Sequence, residues 1–274
     1  MQMRDKTILI TGATDGVGRK VAIELGGQGA KVLVHGRNQQ RAQEVIEEIA
    51  SGGGTASFYP ADLSSLVEVR ALPAAIRKDH AHLDVLINNA GIGTRSGGPQ
   101  RRTSADGHEL RFAVNYLAGF LLTRLLLPLL RSSTPARIVN VASAGQAPID
   151  FADVMLTRAY SGAQAYMQSK LAQIMFTFDL AEELAGSGVT ANCLHPATYI
   201  ATTMVREAGV SPVSTVEEGA DAILNLAVSP QLDGRGGLYF NRQQEARANA
   251  QAYDKAARER LRKLSLELAG LAAA

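Results

Sequence analysis

The stretch Thr7 to Leu25 constrains this chain most. A short β-branched apolar run, T-I-L-I, passes into T-G-A-T-D-G-V-G (Thr11 to Gly18) and then into helical periodicity over Arg19 to Leu25. Strand, glycine-rich turn and helix in that order form the context in which such a motif carries meaning. Gly12, Gly16 and Gly18 allow a tight turn, close approach of a pyrophosphate to the backbone, and close packing of helix on strand. A glycine-rich loop with no ligand is the competing reading for this motif taken alone.

The next strand, Lys31 to His35, ends in His35-Gly36-Arg37. A site that selects NAD places Asp or Glu there to accept from the ribose 2′-hydroxyl. Here no acid is present, and the Arg37 guanidinium can pair with a 2′-phosphate. NADP(H) is therefore expected, with NAD(H) the less favoured cofactor. Arg37 as the mere start of the polar helix Gln39 to Ala50 is the alternative. Asp15 runs against the expectation, because an acid near that phosphate is unfavourable.

Further along, apolar strands alternate with amphipathic helices. A strand runs through Phe58, then come Asp62-Leu63 and a helix with Leu66, Val69, Leu72 and Ile76. A strand over Val85 to Ile87 closes in Asn88-Asn89-Ala90-Gly91, and a polar loop follows with Arg95, Arg101 and Arg102. A long helix over Leu110 to Leu130 carries Asn115, and Arg137 to Val141 is a strand with Ser143 just beyond it. Gly145 to Ala159 reads as an insertion without periodicity. After the helix Tyr160 to Leu184 come a strand over Val189 to Leu194, His195-Pro196, a helix over Val216 to Val228 and a last strand at Gly237 to Phe240. This alternation predicts an α/β fold, a single doubly wound parallel sheet of Rossmann type with helices on both faces. One domain over 1–274 is expected, with a substrate lid at about 197–215 and a C-terminal helical extension at about 243–271.

Composition excludes several classes. A formal net charge of +2 gives no reason to expect a nucleic-acid or membrane-surface partner. Cys193 is the only cysteine, so no intrachain disulfide or thiolate metal cluster forms, and no metal is expected. The N-terminus enters an apolar strand at once, unlike a secretory signal. The run Leu121 to Leu130 is broken by Arg124 and too short to span a bilayer. A cytoplasmic protein without a membrane anchor is expected.

Within the helix at 160–184, Tyr166 and Lys170 are four residues apart and share a face. A phenol of pKa ~10 is a poor acid-base catalyst at neutral pH, and a neighbouring ammonium favours the phenolate. Such a pair suits proton exchange with an alcohol or ketone oxygen, although any helix can carry Tyr and Lys at this spacing.

Taken together, T-G-A-T-D-G-V-G, Asp62-Leu63, N-N-A-G at 88–91, Asn115, Ser143, Y-M-Q-S-K at 166–170 and His195-Pro196 resemble the short-chain dehydrogenase/reductase superfamily over almost the whole chain. T-S-A-D-G-H-E-L-R-F-A-V-N (103–115), F-L-L-T-R-L-L-L-P-L-L (120–130) and A-Y-M-Q-S-K-L-A-Q-I-M-F-T (165–177) are similar to its retinol-dehydrogenase-like branch. So is R-L-R-K-L-S-L-E-L-A-G-L (260–271). The resemblance implies that Tyr166 is general acid in reduction and general base in oxidation. It implies that Lys170 lowers the tyrosine pKa and holds the nicotinamide ribose, that Ser143 orients the substrate oxygen, and that Asn115 anchors a water. Gly12, Gly16, Val17 and Gly18 would line the pyrophosphate, Asp62 and Leu63 the adenine, Asn89 the adenine ribose, and Pro196 the carboxamide. Thr14, Asp15, Ala90 and Gly91 complete the cofactor-binding set implied. Thr202 is the best match to a cofactor-contacting threonine, with Thr198 and Thr203 as rivals. The run Asn115-Tyr-Leu-Ala-Gly-Phe120 and Ala197 after Pro196 depart from the pattern, and the retinoid label does not carry over.

The resulting expectation is an NADP-dependent oxidoreductase that transfers a hydride between cofactor and a ketone, aldehyde or secondary alcohol. Ala147, Pro148, Ile149, Phe151, Val154, Met155 and Leu156 suggest a bulky, partly apolar small-molecule substrate. A catalytically silent dinucleotide-binding regulator or scaffold is the alternative. A homodimer or homotetramer is left open, because the helices with Asn115 and Tyr166 resemble those that pair between subunits.

Overall fold

The computed structural model describes residues 3–95, 98 and 100–272. The first two residues of the N-terminal stretch, and Ser96, Gly97 and Pro99 of the polar loop, lie outside the described residues. The strands are β1 (Thr7–Ile10), β2 (Lys31–Gly36), β3 (Thr55–Pro60), β4 (Val85–Asn88), β5 (Ala136–Val141), β6 (Val189–His195), β7 (Tyr239–Asn241) and β8 (Gln244–Glu245). They form one sheet in the order β3-β2-β1-β4-β5-β6-β7-β8. All pairings are parallel except β7 with β8. The expected doubly wound parallel sheet is thus present, closed by one short antiparallel edge. β1, β4 and β5 are buried along their whole length. Helices covering both sides of a parallel sheet produce such continuous apolar strands.

The helices are α1 (Gly16–Gly27), α2 (Gln39–Ser51), α3 (Leu66–Asp79), α4 (Ala118–Arg131), α5 (Gly162–Glu183), α6 (Thr203–Glu207), α7 (Val216–Val228) and α8 (Lys255–Leu268). Two cores lie on opposite faces of the sheet. One gathers Leu72 of α3, Phe120 of α4, Ile174 of α5 and Leu261 of α8, and the other Val21 of α1, Ile49 of α2 and Ile223 of α7. The chain runs outward from β1 to β3 and then returns to β4 on the other side of β1. The strand order reverses there, and the crevice beyond the carboxyl ends of β1 and β4 is where such sheets hold ligands.

Three local features differ from the sequence expectation. The helix at 110–130 is not uniform, because Phe112–Leu117, with Asn115 inside it, is π-helical before α4 begins. Hydrophobic periodicity does not reveal a single wide turn. The last strand starts at Tyr239 and folds back into β8, a hairpin too short to show alternation. The insertion at 145–159 has no regular structure, yet Ile149, Val154 and Leu156 are buried, with Leu156 at φ +49°. These side chains fill the core, so their apolar character does not by itself describe a substrate.

The C-terminal segment packs back on the helix that carries Tyr166. Arg258 pairs with Glu182, Arg262 lies 3.4 Å from Asp179, and the Tyr116 and Ser265 hydroxyls are 2.6 Å apart. Upstream of α8, the Asn249 amide donates to Gln146 Oε1 (2.7 Å), and Gln251 both donates to and accepts from the backbone of Ile149. The helical stretch Phe112–Arg131 is long and apolar enough to cross a bilayer, further than the run Leu121 to Leu130 suggests, but most of it is buried within the fold.

Candidate active site

The glycine-rich turn is held by neighbours that the motif does not name. Gly12 sits at φ +66° and Gly16 at φ +54°, a backbone region that side chains oppose. The Gly12 amide donates to His35 Nδ1 (3.2 Å), while His35 Nε2 faces the Ala61 carbonyl at 3.2 Å. Burial pushes the His35 pKa down to about 4, which keeps the ring neutral and able to accept from Gly12. Thr11 Oγ1 accepts from the amides of Asn89 and Ala90, each at 3.0 Å. Asn89 Nδ2 donates to the carbonyls of Thr11 (2.9 Å) and Gly12 (3.2 Å). Asn89, expected beside the adenine ribose, is therefore also the clamp of the turn.

A methyl group on Gly18 would overlap both the Gly12 carbonyl oxygen and Asn89 Nδ2, and one on Gly12 would lie 2.9 Å from Ala90 Cα. These glycines thus let the turn, the start of α1 and the loop after β4 pack without side chains between them, and the amides at the N-terminus of α1 fit a pyrophosphate. Gly18→Ala is expected to lose dinucleotide binding at least tenfold and about 2 kcal/mol of stability, read by nicotinamide fluorescence and urea unfolding. Near-normal values for both would show that the turn can relax.

At the end of β2, Arg37 is mostly exposed and lies 3.9 Å from Asp62. Asp15 Oδ1 caps α1 by accepting from the Gly16 amide (2.8 Å), and its other oxygen lies 3.4 Å from Arg41 Nη1. The acid that opposed a phosphate here has its own counter-ion. Arg41, one turn into α2, puts a second guanidinium in this corner. Sequence reasoning missed it, and only its helical spacing from Arg37 could have signalled it. Thr14 packs against the end of β2, where a methyl on Gly36 would lie 2.6 Å from its Cγ2. Leu63 is buried beside Asp62.

Ser143, Tyr166, Lys170, Asn115 and Gly91 come together beyond the carboxyl ends of β4 and β5. Ser161 caps α5 by accepting from the Gln164 amide, which places Tyr166 and Lys170 in its first turns. A methyl on Gly145 would lie 3.5 Å from Ser143 Oγ and 3.9 Å from Cε1 of the Tyr166 ring, which puts the Ser143 hydroxyl beside the phenol. Burial raises its pKa, against the lowering expected from the lysine, and Ser143 offsets part of that rise. The lysine is buried too, and desolvation pulls its pKa down to about 7. Its Nζ donates to the Val141 carbonyl (2.8 Å) and to Gln173 Oε1 (2.9 Å), and lies 5.8 Å from the centre of the Tyr166 ring. Ser143 Oγ accepts from the Gly145 amide at 3.0 Å, while its carbonyl accepts from Gln146 Nε2 (2.9 Å) and the Tyr239 hydroxyl (3.2 Å).

Asn115 is tied to the loop after β4. Its Oδ1 accepts from the Ile92 amide (2.7 Å), and its Nδ2 donates to the Ile92 carbonyl (3.1 Å) and Ser169 Oγ (3.0 Å). It is not bonded to Lys170. Gly91 lies between them, where a methyl group would stand 3.3 Å from Asn115 Oδ1 and 3.5 Å from Lys170 Nζ. Beyond Pro196, the geometry separates the three threonines. Thr198 Oγ1 pairs with His195 Nε2 (3.1 Å), and Thr203 begins α6. Thr202 lies over the glycine-rich turn, its Cγ2 3.0 Å from where a Gly16 methyl would be. Val17 lines the same corner beside Gly219.

The family model of short chain dehydrogenases matches residues 6–211. The chain belongs to that family. Human retinol dehydrogenase 14 is 38% identical over 299 residues, covering 98% of this chain and 88% of the relative, which sets the enzyme in the retinol-dehydrogenase-like branch. Among solved structures, an uncharacterized protein from Mycobacterium paratuberculosis matches with a TM-score of 0.81 and 30% identity, over 98% of this chain and 95% of that one. A short chain dehydrogenase from Escherichia coli CFT073 complexed with NADPH matches with a TM-score of 0.71 and 26% identity, over 88% of this chain and 98% of that one. The enzyme is thus an oxidoreductase of a family that binds nicotinamide dinucleotides and acts on small molecules.

Proposed function

We propose that the enzyme is an NADP(H)-dependent reductase or dehydrogenase of carbonyl–alcohol pairs, with Tyr166 as its proton donor and acceptor. The observation that carries this reading is the Tyr166 phenol, beside Ser143 and one helical turn from the buried Lys170. The bound nicotinamide supplies or accepts the hydride. Burial keeps Tyr166 protonated at neutral pH, the form that donates to a carbonyl oxygen as charge builds there. Ser143 donates a hydrogen bond to the same oxygen and fixes its place. Lys170, with its pKa near neutrality, can return a proton to the tyrosine. In the reverse direction the same groups take the alcohol proton. Asn115 holds Ile92 and Ser169 in place around them.

NADP(H) over NAD(H) rests on Arg37 just after β2 and Arg41 in the first turn of α2, with no acid at the ribose position. It also fits the NADPH complex of the Escherichia coli structure. The proposed substrate is bulky and partly apolar. Its wall would be Met204 and Val205 of α6 with Tyr199 and Val213, none of which is buried. A relative named a retinol dehydrogenase agrees with an alcohol or carbonyl as substrate class. The reading includes one domain with a lid at 197–215 and a cytoplasmic location.

Titration with NADPH and NADH, followed by nicotinamide fluorescence, tests it. Arg37→Ala is expected to weaken NADPH about ten- to a hundredfold, the worth of a charge-assisted hydrogen bond, and Arg41→Ala less. NADH binding should change less than about threefold. Equal wild-type affinity for the two cofactors would remove NADP from the proposal and leave the carbonyl chemistry. Binding of neither would leave a silent scaffold.

A further inference from the structure

Arg111 stands where the chain enters the π turn, and it is completely buried. Its Nε donates to the Gly93 carbonyl (2.9 Å), Nη2 donates to the Thr94 carbonyl (2.8 Å), and Nη1 donates to the Tyr160 hydroxyl. Glu109, equally buried, lies 3.6 Å from Nη1 and accepts from the Tyr160 hydroxyl (3.2 Å) through Oε1 and from the Phe112 amide (2.7 Å) through Oε2. Four residues on, Asn115 grips Ile92. Ile92, Gly93 and Thr94 are thus held in succession from one turn of helix. Tyr160 directly precedes Ser161, the cap of α5. A methyl on Gly162 would overlap the Thr94 carbonyl oxygen, so the start of α5 and this loop are in close contact.

We propose that Arg111, with Glu109 and Tyr160, is a positioning device that sets Tyr166 relative to the loop 91–94. The inference rests on Tyr166 being the proton donor. Removing a guanidinium and a carboxylate from water costs several kcal/mol for each ion, and well-packed apolar residues would hold the fold as firmly. Stability therefore does not explain the cluster, whereas fixed geometry does. The planar fork of arginine binds two carbonyls and a hydroxyl in set directions, which a lysine cannot reproduce. It joins the loop flanking Asn115 and Lys170 to the cap of the helix that carries Tyr166. A shift of about 1 Å between reacting groups can cost roughly a hundredfold in rate.

Tyr160→Phe, Arg111→Lys and the double variant test this, with Tyr166→Phe as control. Turnover of an aldehyde panel is normalised to sites that bind NADPH, and Tm and NADPH affinity are measured alongside. Tyr160→Phe removes one hydroxyl and leaves the loop contacts of Arg111 in place. It should lower kcat per site about ten- to a hundredfold, with NADPH affinity within about threefold and Tm lowered only by what the unmet Glu109 and Arg111 groups cost, several degrees. Arg111→Lys should lower kcat similarly and weaken NADPH as well, and the double variant should be no slower than Arg111→Lys. Unchanged kcat per site in Tyr160→Phe, or losses that multiply in the double variant, overturns the proposal. Should Arg111→Lys fail to fold, Tyr160→Phe decides alone. An inactive Tyr166→Phe beside a fully active Tyr160→Phe means that only the positioning role fails. An active Tyr166→Phe means that the proton-donor reading itself fails.

Discussion

Tyr166→Phe is expected to lower kcat about 10² to 10⁴-fold, the range that proton transfer by a placed side chain contributes. NADPH affinity and Tm should stay near wild type. The substitution removes one oxygen from a half-buried ring, keeps its volume, and leaves the helix cap at Ser161 untouched. The pH profile provides a second check. Burial raises the phenol pKa, so the proton-donating form persists through neutral pH. Loss of the phenol proton should slow carbonyl reduction only in the alkaline range, whereas deprotonation of Lys170 near pH 7 should already slow the return of a proton to the tyrosine. Steady-state kinetics against pH with a panel of aldehydes and ketones reads both effects. Full turnover in Tyr166→Phe would place the proton donor elsewhere.

Lys170→Met should also reduce turnover about a hundredfold or more, and it should change how stability depends on pH. The lysine pKa is pulled from 10.5 to about 7 in the folded enzyme by desolvation. Between pH 7 and 9 the unfolded chain holds a proton that the folded chain has released, so stability rises with pH. The rise approaches about 1.4 kcal/mol per pH unit at most. Other perturbed groups act outside this window. His35 and His195, each lowered to about 4, contribute below it, and Cys193, raised to about 12, opposes above it. In Lys170→Met the rise from pH 7 to 9 should vanish. Urea unfolding at pH 7, 8 and 9 compares the two proteins. The same slope in both would assign the proton release to another group.

Much of this arrangement was legible in residue order. β1 and the helix α7 fall where their apolar patterns place them, because a buried run and an amphipathic face each leave a period in the sequence. The glycines of the turn were legible for a related reason, since only a close approach or a positive φ demands that residue type. What stayed hidden depends on contacts between distant segments. His35 reads as the end of a strand until the fold brings it to Gly12, 23 residues back. Arg41 reads as a helix surface until Asp15 lies opposite. The π turn at Asn115 adds one residue to a helical repeat that still looks helical. The tyrosine–lysine pair was recognised, but the direction of its pKa shift was not. That direction depends on burial, which spacing alone does not report. Ile149 and Val154 of the apolar insertion turn inward, which their apolar character alone does not report.

The bonds from Gln146 to Asn249 and from Ile149 to Gln251 join residues 103 and 102 positions apart. They have a consequence for the birth of the enzyme. On the ribosome, β1 to β4 and their helices, with the glycine-rich turn, Arg37 and Asn89, emerge before Thr202, which lies over that turn. The loop beside Ser143 gains its outer support only after about a hundred further residues have emerged. A nascent chain thus carries the glycine-rich turn well before it acquires the outer support of the loop beside Ser143.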